Sequence, residues 1–360
     1  MSRGGGVVIT GLGAFTPVGH DAVQTASAVR AGISRLAGWE AAGSSGGAPR
    51  VTAAWLPENY GDLPWTDKFE DLLIQPMHEA LWGAGLYDLV QYRERARGLL
   101  GLYLATPEPG RAGVTDSAYR DFAAQAKDLS SVQARIDQVE IVAQDHAAGL
   151  AALDLAVARL NAETIDVAIV AGVDSQLHTP HLAQLGERGF LKLPGLAQGL
   201  LPGEAAAVLV LERAADARAR NAAVHARVGA ITLGVEQTPL GESYPIRGEG
   251  ASAVIAATLA ADDRAPQIHR VITDMSGERW SAIEWAIAET RCLGALAPGW
   301  QHWHPADCFG DLGAASSVVH AVLVARAFAR GYAGAGGVLL FAAAHAGRRA
   351  AATLWPPGEN

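Results

Sequence analysis

The stretches 145-DHAAGLAALDLAVARLNAETIDVAIVAGVD-174 and 311-DLGAASSVVHAVLVARAFARGYAGAGGVLLFAAAH-345 follow one plan. Each opens on an aspartate and small residues, continues as an alanine-rich helical pattern ending near an arginine, and closes through a short loop on an apolar strand. In the first, Leu150, Leu153, Val157 and Leu160 recur at three- and four-residue steps, one apolar stripe along a helix. The same helix–strand unit in both halves predicts a duplicated architecture rather than two unrelated domains.

Working outward, apolar runs at 7–12, 51–56, 99–105, 138–143, 166–172 and 206–212 predict a first series of strands. A second series is expected at 226–235, 269–275, 337–344 and 350–355, with helices at 20–32, 67–85, 146–162, 247–261, 280–296 and 313–330. Continuously apolar strands alternating with helices are strands buried on both faces, hence an α/β layered fold. The polar segment 214-AADARARNAAVH-225 places the boundary of the halves near residue 220. We therefore expect an N-terminal half over 1–220 and a C-terminal half over 221–360, packed as one unit because no low-complexity linker separates them.

Composition narrows the function classes. The chain has 360 residues, 50% hydrophobic and 18% charged, with net charge −9 and mixed signs throughout. A substantial core follows, and a nucleic-acid surface does not. No uninterrupted apolar run is long enough to span a bilayer, and the N-terminus lacks a signal-peptide core, so no membrane insertion and a cytoplasmic setting are expected. The cysteines Cys292 and Cys308 do not make a disulfide framework.

The junction 143-AQDHAAG-149 turns from a strand into a helix, a place where many enzymes mount a nucleophile, and the residue there is His146, framed by Asp145. A helix N-terminus would disfavour an imidazolium there. The run 300-WQHWHPADC-308 offers His302, His304 and Cys308, but a zinc site needs further ligands and a supporting shell, so no metal is expected and the run reads as an aromatic loop. His178 and His181 read as a loop after a strand. Gly11, Gly13 and Gly19 depart from the dinucleotide fingerprint, and no cofactor is expected.

Several junctions match one family. The segments 7-VVITGLGAFTPVGHDAVQTASAVRAGIS-34, 145-DHAAGLAALDLAVARLNAETIDVAIVAGVDS-175, 200-LLPGEAAAVLVLERAADARARNA-222 and 309-FGDLGAASSVVHAVLVA-325 resemble, in order, the β-ketoacyl synthases. The stretches 35–97 and 236–268 are diverged. The resemblance implies the thiolase fold, a duplicated five-layer α/β/α/β/α arrangement. It also implies a cysteine nucleophile where this chain has His146, two carbonyl-activating histidines where it has Met275 and Asp311, and a lysine where it has Ala306. A thioether cannot donate a hydrogen bond and an ionised aspartate only accepts, so neither replacement can stabilise a developing oxyanion. The glycine-rich loop beside the nucleophile is replaced by 341-FAAAHAGRR-349, bringing Phe341, His345, Arg348 and Arg349 to that neighbourhood. Glu204 sits where the resemblance implies structural support, and Asp274 and Glu278 form a new acidic pair that Arg279 could neutralise and that could join His146 in a polar network.

These replacements lead us to expect a degenerate synthase, a pseudoenzyme that does not condense. Its role would be chain-length-factor-like: a heterodimer with an active β-ketoacyl synthase or a homodimeric adaptor, with acyl carrier protein as a possible contact. The competing expectation is a repurposed acyl-transfer or thioester-hydrolysing enzyme drawing on Asp145, His146, Cys308 and Asp311. It requires His146 to meet Asp311 or Cys308 around an open cavity, not one blocked by Met275, Phe309 or the 341–349 loop.

Overall fold

A computed structural model describes residues 6–40, 51–58, 60–86, 99–126, 136–238 and 245–358. The chain runs through β1 (Val7–Phe15), α1 (Ala22–Arg30), β2 (Ala37–Trp39), β3 (Val51–Ala53), α2 (Trp65–Gly83), β4 (Leu100–Thr106) and α3 (Asp116–Gln125). It continues as β5 (Gln138–Ala143), α4 (Ala148–Asn161), β6 (Val167–Ser175), α5 (Thr179–Glu187), β7 (Glu204–Arg213) and α6 (Ala214–Ala219). The rest comprises β8 (Ala226–Val235), α7 (Glu249–Ala260), β9 (Ile268–Thr273), α8 (Arg279–Cys292) and β10 (Gln301–Trp303). It ends with α9 (Ala306–Phe309), α10 (Ser316–Ala329), β11 (Gly337–Ala343) and β12 (Arg348–Trp355).

Ten strands join in the order β10-β9-β11-β12-β8-β1-β7-β6-β4-β5, with β2 and β3 paired separately. From either outer edge inward, the strands of that half come third, second, fourth, fifth, first in chain order. The sense of pairing repeats too: β5, β4 and β6 are mutually parallel and β7 and β1 antiparallel, as are β10, β9 and β11, then β12 and β8. The duplication seen in the two quoted segments is thus a duplication of sheet topology. Where the halves meet, β1 and β8 pair at two positions, Val8 with Arg227 and Ile9 with Ala226.

Burial divides the strands by face. Tyr103, Val170 and Leu209 of the first sheet and Leu340, Ala342 and Ala352 of the second bury against α4 and α10, which form a shared middle layer. The opposite face of the first sheet, with Leu102, Ile169 and Val208, packs on α2 and α3. The opposite face of the second, with Val271, Leu339 and Ala351, packs on α7 and α8. This is the five-layer α/β/α/β/α arrangement. Helices covered on both sides must be apolar nearly all round, and α10 is buried from Ser316 through Ala325. Small residues let the two middle helices touch: a Cβ on Gly149 would stand 2.8 Å from that of Ser317.

Three expectations change. The 51–56 run yields only β3, off the main sheet. The 300–308 run is not a loop: its first part is β10, parallel to β9, and α9 follows. Three residues are too few to show a strand period. Helices α3 and α5 add to the expected set; α3 is largely polar and buries Phe122, and α5 places His178 at its N-cap and His181 inside a helix.

A buried ion pair ties α2 to β6 and β7. Lys68 Nζ donates to Ser175 Oγ at 3.1 Å, Leu177 O at 3.2 Å and Glu204 Oε2 at 3.2 Å, with both charged side chains 1% exposed. Glu204 also accepts from Ser175 Oγ at 2.7 Å and from the Leu56 N–H at 3.0 Å. Removing one partner strands the other's charge, so Glu204→Ala should lower unfolding free energy in urea by about 3–5 kcal/mol, while the double change Lys68→Met with Glu204→Leu should recover most of it.

Candidate functional site

The edge strand β5 ends at Ala143 and the chain turns through Gln144 into a short 3-10 turn, Asp145–Ala147, that leads into α4. Asp145 has φ 48°, a left-handed conformation that aspartate tolerates better than most residues. Its carboxylate holds the turn by accepting from the Glu108 N–H at 3.1 Å and from Arg111 Nη2 at 3.4 Å. This sharp entry throws His146 inward, 5% exposed, and Ser317 Oγ of α10 donates to its carbonyl at 2.8 Å.

A second turn, between α9 and α10, faces it. Gly310 at φ 74° and Gly313 at φ 51° bracket Asp311. At Gly313 no side chain fits: a Cβ would stand 1.9 Å from Asp174 Oδ2. Asp311 is 3% exposed, and His146 Nε2 donates to its Oδ1 at 2.8 Å and Oδ2 at 3.0 Å. Gln176 Nε2, the Gly313 N–H at 2.7 Å and Ser276 Oγ at 3.0 Å also donate to this carboxylate. Ser276 is shared with Glu278 Oε2 at 3.0 Å, and Glu278 Oε1 pairs with His345 Nε2 at 3.2 Å. The His345 ring lies 5.3 Å from that of His146, closing a loop of five side chains.

Burial disfavours charge on His146, but the charge and hydrogen bond of Asp311, with Asp274 and Asp145 nearby, raise it to about 10. The expected helix N-terminus effect is therefore outweighed, and the imidazole is an imidazolium at neutral pH. Burial acts against ionisation of Asp311 too, yet His146 and the Gly313 N–H hold it well below the usual carboxylate range. Burial raises Asp274 to about 6, against the pull of His146 and the Ala343 N–H, which donates to it at 2.8 Å. Burial, reinforced by the charge of His146, lowers His320 to about 3, so that histidine stays neutral. Beside the pair, Arg111 forks onto Asp174, whose Oδ2 also accepts from the Ala314 N–H at 2.9 Å. The cavity bounded by Arg111, Asp145, His146, Gln176, His181 and His345 holds about 160 Å3. That is room for a few waters, below the range of about 300–1,000 Å3 usual for organic ligands.

The structure brings His146, Asp311, Asp145 and His345 together and sends the other named residues elsewhere. Met275 packs against the outer core of the second sheet, and its neighbours Asp274 and Ser276 face the site instead. Ala306 is buried at the start of α9. Cys308 lies in the middle-layer core, where burial raises its thiol, and makes no hydrogen bond to His146 or Asp311 among the described residues. Phe341 sits in the outer core against Trp285, on the far side of its sheet. Arg349 turns to that same side, pairing with Glu284 at 2.9 Å and donating to the Ala344 carbonyl at 2.7 Å, while Arg348 is exposed and offsets the charge of Glu108. Of the expected blockers, Met275 and Phe309 do not line the cavity, and the 341–349 loop reaches it through His345 and Ala346. Glu278 is partnered by His345, not by Arg279. His302 donates to or accepts from Thr273 Oγ1 at 2.8 Å and His304 pairs with Asp307 at 2.9 Å. No group of three His, Cys, Asp or Glu suited to a metal occurs among the described residues.

The sequence reading passed over Arg111, Asp174, Gln176 and Ser276, and set His181 aside as part of a loop. Asp174 and Gln176 stand at the carboxyl end of an apolar strand, where ligands of α/β sheets commonly bind. Side chains alternate along the extended segment after β9, so 274 and 276 share a face that 275 does not. Arg111, an isolated cation in a Pro–Gly loop, carries no such signal.

Comparison with known proteins agrees with this fold. The family model of the β-ketoacyl synthase N-terminal domain matches residues 140–217. A segment of 104 residues, 27% of this chain, is 33% identical to polyketide synthase ThaG of Burkholderia thailandensis and spans 2% of that protein's length. A solved complex of a type II polyketide acyl-carrier protein with its hexaketide-bound ketosynthase aligns at TM-score 0.84 and 16% identity, covering 99% of this chain and 100% of that one. The ishigamide ketosynthase/chain length factor aligns at TM-score 0.79 and 20% identity, covering 99% and 100%. The oxazolomycin ketosynthase domain of Streptomyces albus does so at 0.79 and 16%, covering 99% and 75%. The chain is ketosynthase-like, and its fold is theirs.

The raised imidazole stabilises the fold in full below its ordinary value of 6.5 and loses that contribution as pH climbs toward about 10. Asp311 acts in the opposite sense, contributing above its ordinary 3.8 and losing it only as pH falls. In urea unfolding, the advantage of the wild type over His146→Gln should shrink from pH 6.5 to pH 9 by up to about 1.4 kcal/mol per unit. A difference flat across that range would mean that the imidazole is neutral in the folded protein.

Proposed function

We propose that this ketosynthase-like chain is a non-condensing member of its fold, acting in the manner of a chain length factor beside an active β-ketoacyl synthase, or as a homodimeric adaptor. The observation carrying the proposal is the His146–Asp311 pair, at 2.8 Å and buried on both sides. The resemblance calls for a thiol at the first position and a hydrogen-bond donor at the second. Here the two side chains pair with each other instead: no nucleophile remains, the Nε2 donor of His146 is spent on Asp311, and His146 Nδ1 is buried without a partner. A cavity of about 160 Å3 supports the same reading, since it falls below the range of about 300–1,000 Å3 usual for organic ligands.

The repurposed-enzyme reading draws on the same pair. A general base must be unprotonated at its working pH, and His146 is protonated up to about 10. Cys308, buried away from the pair, offers no nucleophile to it. Both features favour the scaffold.

Assembly is proposed at β5, the outer strand of the first sheet, which pairs with β4 on one side and ends directly before Asp145. Pairing there would continue the sheet into a partner and set the partner beside the elbow. Acyl carrier protein is a proposed contact of such an assembly, as it is of the ketosynthase in one solved relative. No helix among the described residues is long and apolar enough to cross a membrane, and the cytoplasm is the compartment we propose.

Purified protein incubated with malonyl- and acyl-loaded carrier protein should release no β-ketoacyl product above the level of His146→Ala. Condensation that His146→Ala abolishes would overturn the proposal.

A further inference from the structure

Away from the His146 site, two depressions of about 510 and 270 Å3 adjoin along α1 and the far end of α10, with Val23 and Arg326 in the wall of both. Ser317, which touches His146, and Arg326 are nine residues apart on one helix, about 14 Å at 1.5 Å per residue. The smaller depression gathers three guanidinium groups, Arg30, Arg326 and Arg330, together with Tyr332. Arg30 lies over the Tyr332 ring, its Cζ 4.4 Å from the centroid, which fixes the cation against an aromatic face. Arg326 Nε is buried without an acceptor.

None of these three arginines forms an ion pair among the described residues. Glu79, the carboxylate in the wall of the larger depression, is already committed to the Ala14 and Ala22 N–H groups at 3.0 Å each. In a chain of net charge −9, three cations around one hollow, offset only by the charge of Glu79 on Arg326, repel one another and leave the Arg326 Nε donor unused. An anion with several acceptor oxygens removes both costs, and arginine's planar fork suits phosphate oxygens. The adjoining depression supplies a different surface: Val23 is 43% and Trp82 70% exposed along its wall.

We propose that this groove binds an organic phosphate, the phosphate among Arg30, Arg326 and Arg330 and a planar or apolar portion against Val23 and Trp82. The assignment is independent of the reading of the His146 site.

Calorimetric titration with inorganic pyrophosphate and with adenosine 5′-diphosphate tests both ends. The diphosphate nucleotide should bind about tenfold or more tightly than pyrophosphate, and Trp82→Ala should erase that advantage while leaving pyrophosphate binding unchanged. Arg30→Glu with Arg330→Glu should weaken both probes by about a hundredfold. Arg30 and Arg330 are surface residues, so this variant keeps the fold, and unchanged thermal melting verifies it. No binding of either probe to the wild type, equal binding to the charge-reversed variant, or no gain for the nucleotide over pyrophosphate would each overturn the proposal. So would nucleotide binding that survives charge reversal but disappears in Arg111→Ala, which would put the anion at the other cavity.

Discussion

One carboxylate organises the centre of this molecule. Asp311 is buried and ionised, which is tolerable only because its oxygens are surrounded by donors. Those donors come from both halves: His146 and Gln176 from the first, Ser276 and Gly313 from the second. The positions of four chain segments are thereby referred to one pair of oxygen atoms. The Gly313 backbone can donate because glycine alone accepts both its left-handed φ and the approach of Asp174. The turn, the helix behind it and the carboxylate are consequences of one another.

That arrangement gives the site an electrostatic character unlike an acyl-transfer centre. An oxyanion hole keeps donors unspent until charge develops in the transition state. Here the donors around Asp311 and Glu278 are already spent, and the imidazolium is neutralised before any substrate arrives, although its Nδ1 is buried without a partner. The neighbouring Arg111 is likewise absorbed by Asp174. Around the Asp311 carboxylate this polar network is well satisfied. It rigidifies the meeting point of the two halves, a property suited to presenting a surface more than to turning over a thioester.

The layered, duplicated fold was legible in the sequence because its cause is local and repeated: small residues where α4 and α10 touch, and continuously apolar strands behind them. His146 was legible from its strand-to-helix junction, and Asp311 from the resemblance to the β-ketoacyl synthases. That they touch was not, because contact between residues 165 apart depends on how the halves pack, which no spacing records. Met275 misled for a simpler reason: in an extended segment the neighbour in sequence points the other way. Arg349 misled similarly, since its position on β12 sends it to Glu284 under the outer helices. Lys68 left no trace at all; a lysine in a helix is ordinarily a solvated residue, and only the buried Glu204 across the sheet makes it otherwise.

The seam between the sheets, two residue pairs of β1 and β8, has a bearing on how this chain can come apart. So short a ladder cannot join ten strands into one body, so cohesion resides in the middle helices, each covered by sheets above and below. Either half, made alone, would have one sheet face clothed by its own outer helices and the other covered only by its single middle helix, whose far side of alanine, valine and leucine would be left bare. A bare face of that size is an invitation to aggregate. The halves are in that sense obligate mutual chaperones, and a ribosome must deliver the second before the first has a finished surface.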